Sequence, residues 1–143
     1  MYTYKCKVVK IIDGDTIDVD IQLGFDVILN KQRVRLHGID TPESRTRNLE
    51  EKARGLLSKG FLKDLTPIGS IITLQSLKRG KFGRILGIIW KEGDNWTFDD
   101  TVNEVMIKNH HAVPYKGQSK DDIESLHEEN KLKLIEKGIY KVN

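Results

Sequence analysis

The chain has a single cysteine, three prolines and no long apolar run in its 143 residues. One cysteine excludes an internal disulfide, and Cys6 reads as a small buried hydrophobe rather than a nucleophile. A lone thiol suits an intracellular setting without excluding export. No stretch is long enough for a membrane-spanning helix. Residues 1–10 lack the continuous apolar segment of a signal peptide. The expectation is therefore no membrane partner. Location stays open between the cytoplasm and export after removal of a leader. Spaced Cys and His residues for structural zinc are missing. The segment around Asp13 does not match a calcium-binding EF-hand loop, and Gly80-Lys81-Phe82-Gly83 is not a phosphate-binding ATPase loop. The formal net charge is only +3 with 31% charged residues, a weak pull toward polyanions.

What is there reads as one domain over residues 1–143. Val8–Ile12 is a strand that ends at the Asp13-Gly14 turn signal. Over Thr16–Ile21, residues Ile17, Val19 and Ile21 alternate toward a core, and Asp18 and Asp20 are expected to face water. Gly24 allows a turn, Val27-Ile28-Leu29 opens another strand, and Arg33–His37 alternates again. Residues 50–65 read as a helix with an apolar stripe of Ala53, Leu56, Leu57, Phe61 and Leu65, weakened by Gly55 and Gly60. Ser70–Leu74 and Arg84–Trp90 are further strands around a basic, glycine-rich connection. A short helix is expected over 101–109, a loop over 110–118, and a last helix capped near Ser119. Strands before and after a helix suggest a small barrel.

Two acidic turns and two arginines carry the chemistry. Asp15 and Asp40 supply hard oxygens that, with a backbone carbonyl and water, could hold calcium. Glu43, three residues beyond Asp40 across Pro42, could orient or deprotonate a water. Arg35 and Arg84 each offer a planar donor fork to phosphate oxygens. Lys78, Arg79 and Lys81 could draw in a nucleic-acid backbone, and Phe82 and Tyr115 could lie beside a base or sugar. Each feature alone has a plainer reading: Asp13–Asp15 as a hairpin turn, Asp40 and Glu43 as caps, the arginines as surface charges, Phe82 as a core plug. Their co-occurrence gives them weight. His37, His110, His111 and His127 stand at no recognisable metal spacing, and Trp90 and Trp96 read as packing or a hairpin lid.

These segments resemble the staphylococcal nuclease (thermonuclease) family. The shared motifs are Ile12-Asp13-Gly14-Asp15-Thr16, Arg35 followed by Ile39-Asp40-Thr41-Pro42-Glu43, Lys81-Phe82-Gly83-Arg84, and Val102-Asn103-Glu104, over roughly residues 5–137. The resemblance implies a mainly β fold, a five-stranded OB-fold barrel with three helices. It also implies a monomeric, calcium-dependent, sugar-nonspecific nuclease acting on single-stranded or locally opened DNA and RNA. Products would carry a 3′-phosphate and a free 5′-hydroxyl. By resemblance Asp15, Asp40 and the Thr41 carbonyl hold Ca2+, and Asp13 supports the acidic site. Glu43 serves the attacking water, and Arg35 and Arg84 contact phosphate, Arg84 on the leaving side.

Several positions depart from the family pattern. Phe82 replaces a common tyrosine and Gly80 a frequent acid. The stretch 110–115 is not tyrosine-rich. These departures motivate an alternative, a non-catalytic nucleic-acid-binding module on the same scaffold. A structural or protein-interaction domain is a third option. The intact set of Asp15, Asp40, Glu43, Arg35 and Arg84 favours the enzyme.

Overall fold

The alternating segments of the first third form the wall of a closed barrel. A computed structural model describes residues 2–80, 83–93 and 96–141. Strand β1 (Tyr2–Asp13) turns through Gly14 and Asp15 into β2 (Thr16–Gly24), and β2 turns into β3 (Val27–Leu36). The second turn is built from left-handed residues, Gly24, Phe25 and Asp26, with φ of 86°, 53° and 63°. After the short β4 (Ile39–Asp40) comes helix α1 (Leu49–Leu65), then β5 (Ile71–Arg79) and β6 (Ile85–Lys91). The strand order is β1-β2-β3-β6-β5, and β5 returns to β1 to close the barrel. The β3–β6 contact is parallel and the other pairings are antiparallel. This is the expected OB-fold architecture with three helices.

Inward-facing residues of the strands supply the core. Val8, Ile17, Val19, Val34, Leu36, Ile72, Leu74 and Ile89 are almost wholly buried. Cys6 is buried with them, and burial pushes its thiol up to about 12, so it stays protonated and unreactive. Helix α2 (Val102–Lys108) is capped by Thr101, whose side chain accepts from the Glu104 N–H. Its Asn103 is buried and braces the barrel. The Asn103 amide donates to the carbonyls of His37 and Gly87, and its oxygen accepts from the Ile89 N–H. Helix α3 (Lys120–Glu136) is capped by Ser119 as expected. Trp90 and Trp96 stack at 5.9 Å, which fits a packing role. No helix among the described residues is long and apolar enough to cross a membrane.

Three expectations need correction. Asp18 does not face water: it is 2% exposed, and Arg33 on the neighbouring strand clamps both its oxygens at 3.0 and 3.3 Å. Register puts the two residues opposite each other, so the guanidinium roofs the carboxylate. The fully buried line of α1 is Gly55, Ser58 and Leu62; of the expected stripe Phe61 and Leu65 pack against the core, whereas Leu56 is exposed. The helix packs its narrowest side inward because the chain around Glu43 passes directly beneath Gly55. Finally, the loop 110–118 contains a two-residue strand, β7 (Val113–Pro114), which pairs with β4.

Candidate active site

The site forms where three chain segments meet at one edge of the barrel. Asp15 sits in the β1–β2 turn and is 8% exposed. The Asp15 carbonyl accepts from the Leu36 N–H at 2.8 Å, which fixes the turn against the end of β3. Arg35, one residue earlier on β3, therefore points at the turn. Its Nη2 lies 3.4 Å from an Asp15 oxygen and 3.8 Å from an Asp40 oxygen, while Nη1 donates to the Leu36 carbonyl. The two carboxylates thus converge on a single nitrogen although they are far apart in sequence.

Asp40 is held on its other side by a residue the sequence did not single out. His127 Nε2 of α3 donates to Asp40 Oδ2 at 2.8 Å. No spacing rule links the two residues, and the histidines had no metal-ligand pattern, so nothing in the sequence carried a signal for this contact. Lys131, four residues on, pairs with Glu50 of α1 at 3.0 Å, so the two helices are tied together beside the site. Glu51 of α1 was also not foreseen. Its carboxylate accepts from the backbone N–H of Glu43 at 3.2 Å.

The electrostatics are those of crowded acids. Burial raises the Asp15 carboxyl above the ordinary value. Arg35 opposes that shift, and Asp13 and Asp40 add to it. Burial likewise raises Glu43, with further contributions from Asp13, Asp15, Asp40 and Glu51. Glu43 is exposed to solvent. The Thr41 hydroxyl is buried with no hydrogen-bond partner among the described residues. It packs where a side chain at position 14 would project, which is why Gly14 is required: a Cβ there would lie 2.8 Å from Ser58 Cβ and 3.0 Å from Thr41 Oγ1.

Beside this acidic centre opens a cleft of about 540 Å3 lined by Arg35, Lys78, Arg79, Arg84 and Tyr115, among others. The parallel β3–β6 register puts Arg35 opposite Leu86, so Arg84 arrives on the same side. Tyr115 is delivered by the β4–β7 pairing and by its own N–H, which donates to the Gly38 carbonyl at 2.8 Å. The structure therefore gathers the two arginines, two of the three expected cations and Tyr115 around one opening, with Arg35 shared between it and the carboxylates. Asp15, Asp40 and Glu43 do not line the cleft itself. Lys81 and Phe82 lie outside the described residues.

The model of the family described as staphylococcal nuclease homologue matches residues 33–141. The chain belongs to the staphylococcal nuclease family. Several proteins are similar at modest identity. An uncharacterized protein of Bacillus anthracis is 35% identical over 114 residues, 78% of this chain and 47% of that protein. An uncharacterized endonuclease of Escherichia coli is 30% identical over 119 residues, 82% of this chain and 65% of its own length. A protein named micrococcal nuclease from Shigella flexneri is 29% identical over 133 residues, 90% of this chain and 68% of its own length. The chain thus spans about half of the Bacillus protein and about two thirds of the other two. Two of these relatives, those of Escherichia coli and Shigella flexneri, carry nuclease names.

Proposed function

We infer that this domain hydrolyses phosphodiester bonds in DNA and RNA with the help of calcium, leaving a 3′-phosphate and a free 5′-hydroxyl. The observation that carries the reading is the convergence of Asp15 and Asp40 on Arg35 at the mouth of a cationic cleft.

The donor set suits a hard, weakly held cation. Among the described residues no three His, Cys, Asp or Glu side chains converge as a metal-binding group. Two carboxylates would therefore be completed by the Thr41 carbonyl and water, a set that calcium accepts and that leaves positions for substrate. The charges of Asp13 and Asp40 add to the raised proton affinity of Asp15 and Glu43, and a divalent cation would relieve that repulsion. Calcium, when bound, supplies positive charge beside the phosphate.

The protein's own groups do the rest. Arg35 and Arg84 grip the non-bridging phosphate oxygens, and they favour catalysis to the extent that the grip tightens as charge builds on phosphorus. Glu43 is the base. Its raised proton affinity makes it better able to take a proton from water than an ordinary carboxylate. The water oxygen bonds to phosphorus as the bond to the 5′-oxygen breaks. Glu43 holds the water's proton, and the leaving oxygen, on the Arg84 side, takes one from solvent. Lys78 and Arg79 attract the backbone, while Tyr115 lies beside a base or sugar. The preferred substrate is single-stranded or locally opened, and the protein acts as a monomer.

The test is cleavage of single-stranded DNA and RNA with and without calcium, repeated with Glu43→Ser and Arg84→Ala. Both variants should fold and lose most of the calcium-stimulated rate. Unchanged rates in both refute the mechanism. Oligonucleotide binding without calcium-stimulated hydrolysis in the wild type would instead indicate a binding module.

A further inference from the structure

A second cleft, of about 240 Å3, opens at the end of the barrel. Its floor is apolar, formed by Ile21, Leu74 and Ile85. Leu23 and Leu29 of the β2–β3 hairpin form one wall, and Tyr4, Lys78 and Arg79 another. Lys78 and Arg79 also line the main cleft, so the two openings share a cationic rim. The surface around it is unusual. The hairpin is exposed from Gln22 to Lys31, and it holds Leu23, Val27 and Ile28 about half in water and Phe25 fully in water. Tyr2 lies opposite Ser76 in the β1–β5 pairing, is itself 71% exposed, and places its ring 6.4 Å from that of Tyr4.

A ligand leaving the main cleft past Lys78 and Arg79 therefore meets flat aromatic and apolar surface. Unpaired polynucleotide matches that sequence of contacts, because its phosphates repeat along the chain and each base offers an apolar face. A duplex keeps its bases stacked inward and cannot use such a floor. The cavity is smaller than the ~300–1,000 Å3 that encloses a whole drug-sized ligand, which suits one base resting in its mouth. We propose that this barrel-end cleft is an additional subsite for the single-stranded substrate: Lys78 and Arg79 hold the phosphate that passes between the clefts, and Tyr4, Leu23 and Leu29 receive the next base. The proposal rests on the nuclease reading of the main cleft. It adds a reason for the enzyme to prefer long unpaired strands.

The experiment compares a dinucleotide with a single strand of about 12 nucleotides, the scale of one OB-fold site. Binding is read by fluorescence anisotropy in EDTA, and KM is read with calcium. The wild type should favour the longer strand. Leu23→Ser, on the exposed hairpin, and Tyr4→Ala should each reduce that preference about tenfold, the scale of one stacked base. The Leu23 variant keeps the test informative should Tyr4→Ala fail to fold. Equal affinity of the wild type for long and short strands, or an undiminished preference in the variants, overturns the proposal. Binding of anionic phospholipid vesicles through these residues, with no strand preference, overturns it in favour of a membrane contact. Length-dependent binding without any cleavage supports the subsite while removing the hydrolytic reading. Absence of all oligonucleotide binding removes both.

Discussion

Two glycines of α1 offer matched substitutions with opposite expected outcomes. At Gly60 an added Cβ meets nothing within 4 Å, so Gly60→Ala should collect the helix-propensity gain of roughly 0.5–1 kcal/mol. For a domain of this size that corresponds to about 3 °C in Tm. At Gly55 the same Cβ would fall 2.3 Å from the Glu43 carbonyl oxygen, 2.5 Å from its carbon and 2.7 Å from the Ser44 nitrogen. The obstruction is backbone, so no rotamer change relieves it. To restore ordinary contact, helix and turn must separate by about 1 Å, and overpacking of this kind costs roughly 1–3 kcal/mol. Gly55→Ala should therefore come out less stable than wild type despite its better helix propensity. The displaced peptide is the one that carries Glu43, and a shift of about 1 Å in a catalytic group can cost on the order of 100-fold in rate. Thermal denaturation by circular dichroism and calcium-dependent oligonucleotide cleavage read the two effects. In a Glu43→Ser background the rate penalty of Gly55→Ala should vanish, because the displaced group is already gone. If Gly55→Ala matches Gly60→Ala in both stability and rate, the helix does not position the turn and the argument fails.

Other expectations follow from individual contacts. Asn103→Ala removes hydrogen bonds to His37, Gly87 and Ile89 from a buried site and should cost about 3 kcal/mol in urea denaturation; a loss under about 0.5 kcal/mol would show that the amide is not a brace. His111 is buried against Phe61, and burial pushes its pKa down to about 4 from 6.5. The unfolded chain takes up that proton first, so this contribution is intact above about pH 6.5 and is lost as pH falls toward about 4. Asp15 and Glu43, with raised pKa values, slope the other way, so the quantity to measure is the Tm-against-pH curve of wild type minus that of His111→Phe. A flat difference across this window rules the titration out. His127→Ala should weaken calcium affinity about tenfold by freeing Asp40 to rotate, and His127→Gln should recover part of it. Equal affinities by calorimetry would make the contact merely structural.

Local signals located the barrel strands, the Asp13–Thr16 turn, the α1 and α3 spans and the cap at Ser119, because each depends on neighbours along the chain. The barrel's inward residues were legible for the same reason: alternation at Ile17, Val19 and Ile21 has one buried solution. Errors arose where a distant segment decided. Asp18 obeys the alternation rule, but Arg33 covers its outward face, and only the β2–β3 register reveals that. The large apolar residues of α1 suggested a stripe that the close passage of Glu43 and Ser44 displaces toward Gly55 and Ser58. Within the candidate site, Asp15, Arg35, Asp40 and Arg84 were recognisable from their motifs. His127 and Glu51 were not, since they act through helices whose docking is a tertiary fact.

The parallel contact between β3 and β6 consists of just Val34, Arg35 and Leu36 against Ile85, Leu86 and Gly87. That short join unites acids encoded early in the chain with a guanidinium encoded late. During synthesis Asp15, Asp40 and Glu43 leave the ribosome well before Arg84, and α3 with His127 follows later still. A nascent chain therefore carries the acids without Arg84 or the His127 brace, and the candidate site is assembled only once β6 has joined β3 and α3 has docked.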